Sequence, residues 1–125
     1  MNPIFQVAIG GAIGAVLRYG IATGAARVLG AGFPWGTLSV NILGSFVMGL
    51  AMAWFAARAP MIWAMPLVTV GLLGGFTTFS AFSLDAVALW EQGRPLGTAA
   101  YVAISVAGSI TALVAGLVVM RQALA

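Results

Sequence analysis

Asn41 stands midway along an uncharged run, residues 28–57, with Thr37 one helical turn before it and Ser45 one turn after. The spacing i, i+4, i+8 places all three on one stripe of a helix. An amide and two hydroxyls can donate hydrogen bonds while carrying no charge, which is chemistry suited to holding a small anion in passing. The same amide could instead serve a single helix–helix hydrogen bond, which contributes about 0.6 kcal/mol in a membrane. The stripe alone leaves both uses open.

Downstream the chain reads LVTVGLLGGFTTFSAFSLD, in which Gly71, Gly74 and Gly75 precede Thr77, Thr78, Ser80 and Ser83. A glycine in a helix interior costs about 1 kcal/mol relative to alanine, so a helix broken at mid-membrane is expected here. Broken backbone at that depth needs protein, a cavity or an ion site around it. Its freed carbonyls would suit a small hard cation, as in the unwound helices of transporters. An unbroken helix whose glycines only allow close packing is the competing reading.

Phe76, Phe79 and Phe82 follow at i, i+3, i+6 and form one aromatic face, with Thr77, Ser80 and Ser83 on the neighbouring face. Such a stripe is usually packing. A phenyl ring nevertheless has a positive edge that can meet an anion. Tyr101, Ser105 and Ser109 make a second polar stripe at i, i+4, i+8, with Thr111 nearby.

Charge chemistry is nearly absent. The ionisable groups are Arg18, Arg27, Arg58, Arg94 and Arg121 against Asp85 and Glu91, a net charge of +3, and there is no Lys, His or Cys. That excludes an imidazole base, a thiolate, a haem or zinc ligand set and a disulfide framework. Five scattered arginines do not make a nucleic-acid surface. Enzymatic activity is the least supported class.

The elements that must position these groups are membrane spans. The chain is 62% hydrophobic and 6% charged, against roughly 25% charged residues in soluble domains. The charges leave uncharged runs at 1–17, 28–57, 59–84 and 95–120. A spanning helix needs about 20 mostly apolar residues, so the last three runs qualify directly. The first qualifies by continuing past Arg18, which is then inside a span and must reach an interface, a cavity or a partner. No basic n-region precedes Arg18, so a retained span is expected rather than a cleaved signal. The expectation is an all-α integral membrane protein, one domain over residues 1–125, with spans at roughly 4–28, 35–57, 61–90 and 96–120. Gly30, Gly32, Pro34, Pro60, Gly93 and Pro95 supply the turns.

Arg58 and Arg121 would lie on one side of the membrane, and Arg27 and Arg94 on the other. An even tally sets no orientation, so two opposed copies could pair as an antiparallel dimer. Small residues recur at helix-packing spacing in each span: Gly10 and Gly14, Ser45 and Gly49, Gly71 and Gly75, Gly108 with Ala112 and Gly116. They permit close helix contact in lipid. Four helices offer few partners for so many such faces, so many of them are expected to serve a second subunit.

The strings GAIGAVLRYG, NILGSFVMG and GGFTTFSAFSLD resemble the Fluc (CrcB) fluoride channels, and the resemblance covers essentially the whole chain. Asp85 stands where many relatives carry Glu. The resemblance implies a multi-pass protein of the bacterial inner membrane. It implies an antiparallel dual-topology homodimer with two fluoride pores, each lined by both subunits. By it, Asn41 is the pore amide donor, and Phe79 and Phe82 present ring edges to fluoride. Ser80, Ser83, Ser109 and Thr37 fall on or near a polar track, with Tyr101 and Asp85 toward its vestibule. Backbone carbonyls of Gly74 and Thr77 hold a structural sodium ion, and Arg18 attracts anions at the aqueous vestibule.

The physics of the ion suits that implication. Fluoride holds water tightly, and hydrogen bonds to a charged group contribute about 1.5–3 kcal/mol each, so several donors are needed in sequence. A bare arginine in the narrows would trap the ion, whereas conduction requires release. A small dual-topology multidrug-type exporter is the alternative. It would need a membrane-embedded carboxylate, yet Asp85 and Glu91 lie at or beyond the end of the third span. A non-transporting anchor subunit is a third reading, without the ligands or long loops such anchors carry.

Overall fold

The structure, a computed structural model, describes residues 1–125 and is entirely helical. Helix α1 covers Pro3–Leu29, opened by the Asn2 side chain, which accepts from the Ile4 amide at 2.9 Å, and by Pro3 in the first turn. Both features suit a helix start, where the first N–H groups have no partner. Gly30, at φ 83°, ends it. Helix α2 covers Trp35–Ala57. A 3-10 helix, Ala59–Ala64, and a π-helical segment, Pro66–Leu73, lead into the single turn α3, Gly74–Phe76. Helix α4 covers Phe79–Glu91 and α5 Pro95–Leu124, joined by a turn through Gly93 at φ 70°.

Four helical stretches are long and apolar enough to cross a membrane: Pro3–Leu29, Trp35–Ala57, Pro66–Glu91 and Pro95–Leu124. Of 100 backbone hydrogen bonds, 89 lie within helices, which is what a bilayer demands of backbone groups that cannot reach water. The third stretch starts at Pro66 rather than near 61, because Ala59–Ala64 winds as a tight 3-10 connection. The outside is apolar: Phe5, Val16, Ile62 and Leu96 are all exposed. The interior cluster is small, made of Leu38, Phe82, Leu89 and Tyr101.

The small residues pack inside the chain. A Cβ on Gly10 or Gly14 would strike the backbone of Leu67, Leu72 and Phe76, and one on Gly75 would meet the Gly11 carbonyl oxygen at 2.7 Å. Helix α1 therefore lies directly on the π-helical segment and α3. Gly49 and Gly116 do the same for α2 against α5. These faces were expected to serve a second subunit. Most instead close two seams within one copy, since helices as bare as these can approach until backbones touch.

Gly74 is helical (φ −65°, ψ −37°), while Thr77 (φ −86°, ψ 160°) and Thr78 (φ −154°, ψ 125°) are extended before the helix resumes at Phe79. Gly71 and Gly75 are the close-packing positions, and the extended residues are the two threonines that follow.

Candidate functional site

The extended link leaves backbone groups without helical partners, and side chains take some of them. Asn41 Nδ2 donates to the Thr78 carbonyl at 2.9 Å, and the Thr78 amide donates to Asn41 Oδ1 at 2.7 Å. Thr78 Oγ1 then caps α4 by accepting from the Ala81 amide at 3.1 Å. Thr77 folds back, its amide and its Oγ1 both donating to the Leu73 carbonyl.

Two carbonyls are left over. The helical donor for Gly74 would be the Thr78 amide, which Asn41 has taken. The donor for Thr77 would be the Ala81 amide, which Thr78 Oγ1 has taken. Gly74 is exposed and Thr77 half-buried in the single chain, so both oxygens are within reach of a ligand.

Beside the link lies a groove of about 360 Å³. Its polar lining comes from Asn41, Ser45, Thr77, Thr78, Ser105 and Ser109, and its rings are Phe79 and Phe82. No charged residue lines it. Asn41 uses one amide hydrogen on Thr78 and keeps a second. Ser105 is 6% exposed and its Oγ has no hydrogen-bond partner. Leaving a buried hydroxyl unpaired costs about 1–3 kcal/mol, so this hydroxyl has a hydrogen bond to give.

The rings form a row. Phe79 and Phe82 have centroids 5.4 Å apart, Phe82 and Tyr101 5.3 Å, and Tyr101 meets Phe33 edge-on at 5.5 Å. The first of them, Phe79, is 77% exposed in the single chain, while Phe82 and Tyr101 are buried.

A second cavity, about 230 Å³, sits at the end carrying the 30–34 loop, lined by Phe33, Thr37, Asp85 and Gln92 among others. Thr37 and Asn41 are one turn apart, about 6 Å along α2, yet they line different cavities. Phe82 and Tyr101 pack against the same helix at Leu38 and Ile42. Tyr101 Oη donates to Asp85 Oδ2 at 3.2 Å.

The remaining expected residues lie apart from the groove. Ser80 is exposed and 3.4 Å from Thr78 Oγ1, while Ser83 donates to the Phe79 carbonyl at 2.9 Å; neither lines the groove. Arg18 lines neither cavity, and its Nε donates to the Gly75 carbonyl at 3.1 Å. The sequence roles assigned through the resemblance omitted Ser105, although its stripe with Tyr101 and Ser109 was visible. They also omitted Phe33, for which a loop residue offers no periodic signal.

Comparison with known proteins places this arrangement. The family described as "CrcB-like protein, Camphor Resistance (CrcB)" matches residues 5–117. The chain is 52% identical over 123 residues to a protein of Rhizobium etli (strain CIAT 652) named fluoride-specific ion channel FluC, covering 97% of this chain and 98% of the relative. It is 50% identical over 125 residues to the protein of the same name from Chelativorans sp. (strain BNC1), covering 99% and 100%. The one from Cereibacter sphaeroides (strain ATCC 17029 / ATH 2.4.9) is 46% identical over 121 residues.

Proposed function

The chain belongs to the CrcB family, and from that premise we propose that it is a fluoride-selective passive channel that lets cytoplasmic fluoride leave the cell. The observation that carries the reading is the uncharged groove beside Asn41, lined by Phe79 and Phe82, in which a buried Ser105 hydroxyl has no partner.

The chemistry follows from what each donor has left to give. Asn41 anchors Thr78 with one hydrogen and offers the other to the ion. Ser105 and Ser109 add hydroxyls one turn apart on α5, and Phe79 and Phe82 add weakly positive edges. Each donor contributes part of what water supplied, and none is a full charge that would hold the ion. Thr37 and Asp85 belong to the neighbouring vestibule, one helical turn along α2, and Tyr101 is buried behind them on Asp85. A negative-inside potential, worth about 2.3 kcal/mol per charge per 100 mV, drives the anion outward with no coupling machinery.

The working unit of this reading is an antiparallel homodimer. One copy leaves the groove open, with Phe79 77% exposed and the Ser80 hydroxyl uncovered on the neighbouring face of α4. Hydroxyls and ring edges facing lipid would gain nothing, whereas a second copy would close the groove and place its own Ser80 and Ser83 along it. The unclaimed carbonyls of Gly74 and Thr77 fit a small hard cation such as sodium, since oxygen ligands without charge suit it. Two carbonyls cannot enclose an ion, and a second copy would double the set.

The test is fluoride efflux from liposomes holding the purified protein, read with a fluoride electrode and with chloride as control. Fast fluoride release without a proton gradient supports the channel. Release that requires a proton gradient would support the exporter alternative instead.

A further inference from the structure

We infer that Arg18 is a positioning residue for the extended link at Thr77–Thr78, holding Gly75 just ahead of the link while Asn41 holds Thr78, rather than a lure for anions. The inference rests on the channel reading for its functional consequence and on geometry for the rest.

The contact is specific. Arg18 Nε reaches the Gly75 carbonyl at 3.1 Å across 57 positions of sequence, in a half-buried setting. A charge within a span must pair with something, and backbone carbonyls are among its usual partners. Arg18 sits one turn beyond Gly14, at the end of the seam by which α1 lies on the π-helical segment and α3. Its cation also meets the carbonyl end of the helical stretch that finishes at Phe76, where positive charge is favourable.

The consequence concerns neighbouring oxygens. Gly75 has no side chain to resist rotation of its peptide plane. Gly74 and Thr77, on either side, carry the two unclaimed carbonyls. With Arg18 on Gly75 and Asn41 on Thr78, both ends of the 75–78 stretch are pinned, the Thr77 oxygen between them keeps one arrangement, and Gly74 is held through its bond to Gly75. Removing Arg18 releases one end.

Side-chain length separates the two roles. Glutamine places a donor nitrogen at the same number of bonds from Cα as arginine Nε, but without charge. Lysine keeps the charge and has carbon at that position. The experiment compares wild type, Arg18→Gln, Arg18→Lys and Arg18→Met in liposomes for fluoride efflux, and in detergent for hydrogen exchange at the amides of residues 74–80. Positioning predicts that Arg18→Gln stays within about threefold of wild type in both readouts. It predicts that Arg18→Lys and Arg18→Met lose at least tenfold in efflux and exchange at least tenfold faster in that segment. Wild-type behaviour of Arg18→Lys with Arg18→Gln as impaired as Arg18→Met would overturn it, as would unchanged exchange in Arg18→Met. If Arg18→Met does not assemble, the Gln and Lys pair decides. If wild-type vesicles release no fluoride, the channel reading fails while the exchange measurement still decides the role of Arg18.

Discussion

The carboxamide of Asn41 closes a ring with the backbone of Thr78: one bond of 2.9 Å runs from its nitrogen to the carbonyl, and one of 2.7 Å runs from the amide to its oxygen. Of the two uses open to this amide, the tie is the one the geometry displays. It ties α2 to the extended link before α4, and one amide hydrogen is left uncommitted.

Asn41→Asp keeps the acceptor for the Thr78 amide but sets a carboxylate against the Thr78 carbonyl and removes the donor. Fluoride efflux is expected to fall at least a hundredfold, with a stability loss of about 1–3 kcal/mol from the broken bond. Liposome efflux and thermal unfolding in detergent measure the two effects, and wild-type efflux would remove Asn41 from the pore.

Ser105→Ala separates function from stability in the other direction. Its Oγ is buried and unpartnered in the single chain, so deleting it should leave stability equal or raise it by up to about 1 kcal/mol. Fluoride efflux should fall about tenfold. A stability loss instead would mean that the hydroxyl already has a structural partner in the assembled protein.

Phe82→Ile keeps apolar bulk but removes the ring edge and the stacking on Phe79 and Tyr101. Efflux should drop more than tenfold while size-exclusion behaviour is unchanged. Unaltered efflux would show that the ring serves packing alone.

If the Gly74 and Thr77 carbonyls hold sodium as proposed, replacing it with a large organic cation should lower the unfolding temperature and slow efflux. Indifference in both measurements would remove the cation from the account.

Gly14→Ala should destabilise by about 1–3 kcal/mol, since its Cβ would overlap the backbone of the π-helical segment and α3. Gly11→Ala is the control: its Cβ meets nothing within 4 Å, so it should be close to neutral in the same thermal assay.

Much of the scaffold was legible because lipid makes hydropathy and charge position nearly decisive. The second span was expected at 35–57 and lies there, and the first differs by a residue at each end. The third was drawn too early because an apolar run does not distinguish a 3-10 connection from a spanning helix. The small residues were legible as contact positions but not as to which partner they touch, since spacing carries no such information. The stripe of Thr37, Asn41 and Ser45 was visible, but its division between two cavities was not. Phe82 and Tyr101, which reach α2 from other helices, pack at Leu38 and Ile42 on the same stretch. The Thr78 partner of Asn41 lies 37 positions away, beyond any periodic signal.

The central claim is that neutral donors in the groove pass fluoride passively and discriminate against chloride. The most direct measurement is the reversal potential of the reconstituted protein in a planar bilayer under separate fluoride, chloride and pH gradients. The reversal potential is expected to move about 59 mV per tenfold fluoride gradient and not to respond to the other two. A reversal potential that follows chloride or pH would contradict it.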